Sequence, residues 1–216
     1  MRPDPAAAAR RGAELIGEAA HEATGARGGF SLAASGGTDP WRMYELLAEQ
    51  EIDWSSTEVF QVDERIAPEG DPDRNLTHLL QSLPAAARAR VRPMPVTDED
   101  PEAAAARYAG QLAGALDLVH LGAGPDGHTA SLVPGDPVLD VDDRRVAVTG
   151  GEYQGRRRMT LTYPELARAR AILWLVTGES KREALAKLLA GDRSIPAGRV
   201  DAGHSTVIAD AAAAAR

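Results

Sequence analysis

His128 stands at the exit of a glycine-rich turn, Gly122-Ala123-Gly124-Pro125-Asp126-Gly127-His128, which follows the apolar segment Leu116 to Leu121. An imidazole can take up and return a proton near neutral pH. The glycines let the backbone turn tightly and approach a ligand closely. A second short loop, Ser35-Gly36-Gly37-Thr38, lies between an apolar strand-like run and a helix start. Its backbone N–H groups can point at a phosphate with the helix dipole behind them, and the hydroxyls of Ser35 and Thr38 add donors. A plain tight turn is the alternative reading of that loop, and a packed histidine is the alternative for His128.

Three other places carry charge where chemistry could use it. Asp63-Glu64-Arg65 ends a strand-like segment and reads either as a structural ion pair or as the wall of a sugar site, with Arg65 suited to bidentate anion contact. Arg156-Arg157-Arg158 reads as a solvated run or as the source of one inward arginine. Lys181 is one of only two lysines among 24 basic residues. It sits in a first helical turn just after Gly178, where a point charge can meet a phosphate or simply face water.

Other chemistries fit poorly. Gly122-x-Gly124-x-x-Gly127 matches the dinucleotide fingerprint formally, but Pro125 interrupts it and Pro134-Gly135 ends any helix within two turns. A Rossmann fingerprint opens a long helix instead. His21, His78, His120 and His204 share no pattern and read as structural or solvated. No histidine pair has metal-ligand spacing. Ser131 is not in a nucleophile elbow, and Asp126, His128 and Ser131 are too close in sequence for a hydrolytic relay.

The elements that must position these residues alternate. Helices are expected over Arg10 to Thr24, from Pro40 to about Gln50 with Thr38 or Asp39 as cap, over Arg74 to Leu83 with Asp73 as cap, from Asp100-Pro101 to about Gly114, and over Glu179 to Ala190. Strands are expected at Gly29 to Ala34, Thr57 to Val62, Leu116 to Leu121, Arg145 to Thr149, Arg158 to Thr162, Ala171 to Val176 and Ser205 to Ala209. Several are apolar on both faces. The pattern is that of an α/β protein with a mainly parallel sheet flanked by helices on both faces. Ligands bind such sheets outside the carboxyl ends of the strands. The loops at Ser35, Asp63, Gly122 and Thr177 all follow directly on strands, so they converge on one edge.

Bulk properties set the frame. The 216 residues suit a single domain, and 44% of them are hydrophobic. The net charge of −8 argues against a nucleic-acid or membrane-surface partner. It also requires that cations be gathered locally if the ligand is anionic. No run approaches a bilayer span, and no apolar signal-peptide core follows Met1-Arg2-Pro3-Asp4-Pro5. The absence of cysteine removes disulfides, thiolate metal sites and cysteine nucleophiles. The cytoplasm is the simplest expected location.

Taken together, these residues resemble the 6-phosphogluconolactonases of the sugar-phosphate isomerase-like superfamily, which also holds the glucosamine-6-phosphate deaminases. Ser35-Gly36-Gly37-Thr38-Asp39-Pro40, Asp63-Glu64-Arg65 with Pro68 and Asn75 downstream, Gly122 to Ser131, and Gly178 to Lys181 carry the likeness; Arg158 to Thr162 adds a weaker segment. Order and spacing agree from about residue 10 to residue 210. Thr38-Asp39, Ala67 and Arg74 depart from the commoner family residues, while Asn75, the only asparagine, falls at the family's asparagine position.

The resemblance implies a sugar-phosphate isomerase-like (modified Rossmann-type) fold as one domain over residues 1–216. It implies hydrolysis of 6-phospho-D-glucono-1,5-lactone in the oxidative pentose phosphate pathway. No metal or organic cofactor and no obligate protein partner is expected, only a small phosphosugar lactone. The roles that follow place His128 as general base with Asp126 orienting it. Ser35, Gly36, Gly37, Thr38, Lys181 and Arg158 would hold the phosphate. Asp63 and Arg65 would line the sugar, and N–H groups of the Gly122 to Gly127 turn, Gly124 among them, would face the oxyanion. Deaminases of the same superfamily usually carry tyrosine where Arg65 stands and lack Pro125. A sugar-phosphate sensor would need a partner domain, for which 216 residues leave no room.

Overall fold

The computed structural model describes residues 1–112, 114–200 and 203–215. In chain order the elements are α1 (Pro5–Arg27), β1 (Phe30–Ala34), α2 (Thr38–Glu45), β2 (Thr57–Gln61), β3 (Asp63–Arg65), α3 (Asn75–Ser82), α4 (Ala85–Arg88), β4 (Val91–Arg92), α5 (Pro101–Gln111), β5 (Leu118–Leu121), β6 (Val146–Val148), β7 (Arg158–Leu161), α6 (Tyr163–Arg168), β8 (Ile172–Val176), α7 (Arg182–Leu189), α8 (Pro196–Arg199), β9 (Ser205–Ala209) and α9 (Ala211–Ala214). Among the described residues, no helix is long and apolar enough to cross a membrane.

Six strands form one sheet in the order β4-β2-β1-β5-β8-β9, with every pair parallel. Side chains alternate across it, as the pleat demands. Phe30, Leu32, Leu173, Leu175 and Ile208 join α1 and α2 in one core, while Ala33, Phe60, Val119, Leu121, Ile172, Trp174 and Val176 join α5 and α7 in the other. Burial on both faces explains why the central strands β1, β5 and β8 read as mostly apolar runs.

The second sheet was not foreseen. β3, β6 and β7 leave the parallel sheet and form a three-stranded antiparallel one, ordered β3-β7-β6. Val62 is the stitch between them: its N–H donates to Ala34 O at 3.1 Å, and its carbonyl accepts from Leu161 N at 2.8 Å. Asp63-Glu64-Arg65 is thus a strand of its own rather than the tail of β2.

Helix starts also differ from expectation. α1 begins earlier because the Asp4 carboxylate accepts from Ala7 N and Pro5 fits the first turn; Gly28, at φ 77°, ends it. Asp73 does not cap α3. Its first N–H groups, on Asn75 and Leu76, donate to the Glu64 carboxylate at 2.7 and 2.8 Å. That cap comes from a residue eleven positions upstream, which no local pattern reveals.

Candidate active site

At the carboxyl edge of the parallel sheet, β1 runs into Ser35-Gly36-Gly37 and then α2. Gly37 is the N-cap, at φ 133°, a conformation that favours glycine, and no side chain caps the helix. The expected cap, Thr38 or Asp39, is therefore corrected: Asp39 instead accepts the Thr177 hydroxyl. An uncapped first turn leaves its N–H groups and the positive end of the helix dipole available to an anion. Gly36 must be glycine for a different reason, since a Cβ there would overlap the Asn75 carboxamide.

His128 faces this loop across a cleft of about 340 Å³. Its Nδ1 lies 2.5 Å from Asp126 Oδ1, and the Tyr153 hydroxyl donates to Asp126 Oδ2 at 3.2 Å. In the neutral ring Nδ1 therefore carries the proton, which leaves the lone pair on Nε2. Burial alone would raise the Asp126 carboxyl, but the hydrogen bonds and charge of His128, with help from Tyr153, hold it below the usual carboxylate range. The Tyr153 ring packs edge-on to His128 with centroids 5.2 Å apart, and the Arg158 guanidinium lies over the Tyr153 ring, 5.1 Å from its centroid. The turn itself is closed by Gly127 N donating to Gly124 O at 2.9 Å and Gly124 N donating to His128 O at 2.8 Å. The N–H groups of Gly124 and Gly127 are thus spent inside the turn, which removes both from the expected oxyanion donors.

Arg65 and Arg158 are direct cross-strand neighbours on β3 and β7. Two like charges in register repel unless an anion joins them. Arg65 Nη1 donates to Asp73 O and Asn75 Oδ1, both at 2.7 Å. Arg158 Nη2 donates to Tyr153 O and Gln154 Oε1 at 3.2 and 3.1 Å. The Nε atoms of both arginines are buried without partners. Burial, reinforced by Arg65, lowers the Arg158 guanidinium against the pull of Asp63. Asp63 is nearly buried and anchors the surroundings, accepting from Ser131 Oγ at 2.6 Å and Asn75 Nδ2 at 3.2 Å.

Lys181 enters from the loop after β8. Asp210 fixes that loop by accepting from Gly178 N at 3.0 Å and Ala213 N at 2.9 Å. Burial lowers the Lys181 ammonium, while Asp126 pulls the other way, so Lys181 lies within electrostatic reach of the His128–Asp126 pair.

Ser35, Gly36, Gly37, Asp63, Arg65, Gly124, His128, Arg158 and Lys181 all line this one cleft, and Asp126 stands behind His128. Thr38 lines an adjoining lobe of similar size, together with Trp41, His78 and Arg156. Arg156 is held there by Asp71 at 3.0 Å, and Arg157 turns away to Thr149 O. Sequence reading missed Tyr153 and Gln154, which line the cleft from an irregular segment between β6 and β7. Gln154 has φ 55° and Ala130, also in the lining, φ 50°. Left-handed non-glycine residues are uncommon and cluster at functional sites. Among the described residues, no cluster of three or more His, Asp or Glu side chains is arranged to hold a metal ion.

Comparison with known proteins places this cleft in context. A family model described as glucosamine-6-phosphate isomerases/6-phosphogluconolactonase matches residues 3–209. A 6-phosphogluconolactonase of Synechocystis sp. is 41% identical over 180 residues, covering 76% of this chain and 73% of that protein. The crystal structure of a 6-phosphogluconolactonase from Shewanella baltica OS155 superposes with a TM-score of 0.84 at 28% identity, covering 96% of this chain and 94% of that one. A monomeric glucosamine-6-phosphate deaminase shares the fold, with a TM-score of 0.83 at 20% identity over 99% of each chain.

Proposed function

The chain belongs to the glucosamine-6-phosphate isomerase/6-phosphogluconolactonase family, and from that premise we propose that it hydrolyses 6-phospho-D-glucono-1,5-lactone to 6-phospho-D-gluconate, a step of the oxidative pentose phosphate pathway. One observation carries the reading: an imidazole oriented by a carboxylate faces, across a single cleft, an uncapped helix N-terminus and two arginines in cross-strand register.

In this reading the phosphate docks against Ser35, Gly36, Gly37 and Thr38, with Arg158 and Lys181 supplying charge and Arg65 and Asp63 bordering the sugar. Nε2 of His128 takes a proton from water as the water oxygen bonds to the lactone carbonyl carbon. The bond from that carbon to the ring oxygen then breaks, and His128 returns the proton to the departing oxygen. Asp126 holds the ring in the tautomer this requires and stabilises the imidazolium that forms between the two transfers. A positioned base contributes roughly 10²–10⁴-fold, and a lactone is already an activated ester.

The test is the initial rate of opening of freshly generated 6-phosphogluconolactone, corrected for spontaneous hydrolysis, with ammonia release from glucosamine 6-phosphate measured in parallel. Catalysed opening without ammonia release supports the lactonase. Ammonia release without lactone opening replaces it with the deaminase reading.

A further inference from the structure

Behind the anion loop lies a buried polar pair that the proposed mechanism does not use. Tyr44 on α2 and His120 on β5 are both wholly buried. The Tyr44 hydroxyl is 3.0 Å from Ser35 O and 2.7 Å from His120 Nδ1, and Ser35 Oγ donates to His120 O at 2.8 Å. Nε2 of His120 has no partner.

A tyrosine has one hydroxyl proton, so its direction can be assigned by counting what each choice leaves unpaired. If the proton went to His120 Nδ1, the imidazole would carry its own proton on Nε2, buried and unpartnered, and Ser35 O would lose its donor. If the proton goes to Ser35 O, His120 donates from Nδ1 to the phenol oxygen and only a bare Nε2 lone pair is left. The second choice strands one group rather than two. Burial also drives the His120 imidazolium down to about 3, so the ring is neutral as this assignment requires.

The consequence reaches the cleft. The peptide joining Ser35 to Gly36 is trans, so its C=O and N–H point in opposite directions. With Ser35 O drawn inward to Tyr44, the Gly36 N–H points the opposite way, and Gly36 lines the cleft. We infer that Tyr44 is a brace, a positioning residue whose hydroxyl holds the Gly36 N–H toward the substrate phosphate. This rests on the proposed assignment of that loop to the phosphate.

The experiment measures KM and kcat for 6-phosphogluconolactone, and the inhibition constant of inorganic phosphate, in wild type, Tyr44→Phe, His120→Leu and the double variant, with Tm as the check on folding. The expected result for Tyr44→Phe is a KM and a phosphate inhibition constant both raised about 10-fold, or about 1.4 kcal/mol, with kcat changed far less. His120→Leu keeps the Tyr44 donor and should keep KM near wild type. The double variant removes the stranded imidazole, so it should recover Tm relative to Tyr44→Phe yet retain the raised KM. A KM restored along with Tm in the double variant, or an unchanged KM in Tyr44→Phe, overturns the inference. Wild-type protein without lactonase activity would instead overturn the functional reading, and phosphate binding measured directly would still report on the brace.

Discussion

Gly124→Ala isolates the geometry of the base. Gly124 is not among the positive-φ residues, so its backbone accepts alanine without strain. The added Cβ, however, would overlap Cε1 and Nδ1 of His128 and come within 2.7 Å of Asp126 Oδ1. The ring must retreat by about 1.3 Å or more to bring the 2.1 Å approaches out to ordinary contact at 3.4 Å, and it cannot do so while keeping its 2.5 Å bond to Asp126. A misplacement of about 1 Å costs on the order of 10²-fold in rate, or about 2.7 kcal/mol of transition-state stabilisation. The loop proposed to hold the phosphate is untouched, so KM should move little. Loss of glycine freedom in the unfolded chain offsets part of any strain, by about 0.4–1 kcal/mol. Initial rates with freshly generated lactone, together with a thermal melt, read both quantities. A variant that keeps wild-type kcat would refute the assignment of His128 as the base.

Other expectations concern separate parts of the molecule. Lys181→Ala should raise KM about 10-fold or more with a smaller effect on kcat; an unchanged KM would remove Lys181 from the phosphate site. The Asp126 carboxyl is depressed in the folded protein, so its contribution to stability is full above the ordinary carboxylate range and is lost as pH falls through the depressed value. Denaturant unfolding of wild type and Asp126→Asn should therefore converge toward acid, and divergence there would contradict the sign. Gly25→Ala, in exposed helix with nothing within 4 Å of the new methyl, should add about 0.5–1 kcal/mol. That is a Tm gain of about 2–4 °C for each kcal/mol, and a lower Tm would mean that the helix end is not as described.

The parallel sheet was legible because its signals are local. β1, β5 and β8 are mostly apolar runs bounded by turn residues, and both faces are buried, so their reading needs no knowledge of partners. The small antiparallel sheet was not legible. β3 is three residues long, and what makes it a strand is its pairing with β7, about a hundred residues away. The juxtaposition of Arg65 and Arg158 followed from that pairing and from nothing local. The α3 cap was misread for the same reason, because Asp73 has the right residue type but Glu64 has the position. Tyr153 and Gln154 sit between Gly150-Gly151 and Gly155, where no periodicity marks an inward face. The signal that could have found Tyr153 was its rarity, as one of four tyrosines, in a glycine-flanked turn just before the arginine run.

Turnover of freshly generated 6-phosphogluconolactone by His128→Ala, set beside wild type at equal protein concentration, bears most directly on this account. The expected result is a kcat lower by about 10²–10⁴-fold, with KM little changed because the phosphate contacts remain. Turnover close to wild type would mean that the proton is moved by another group.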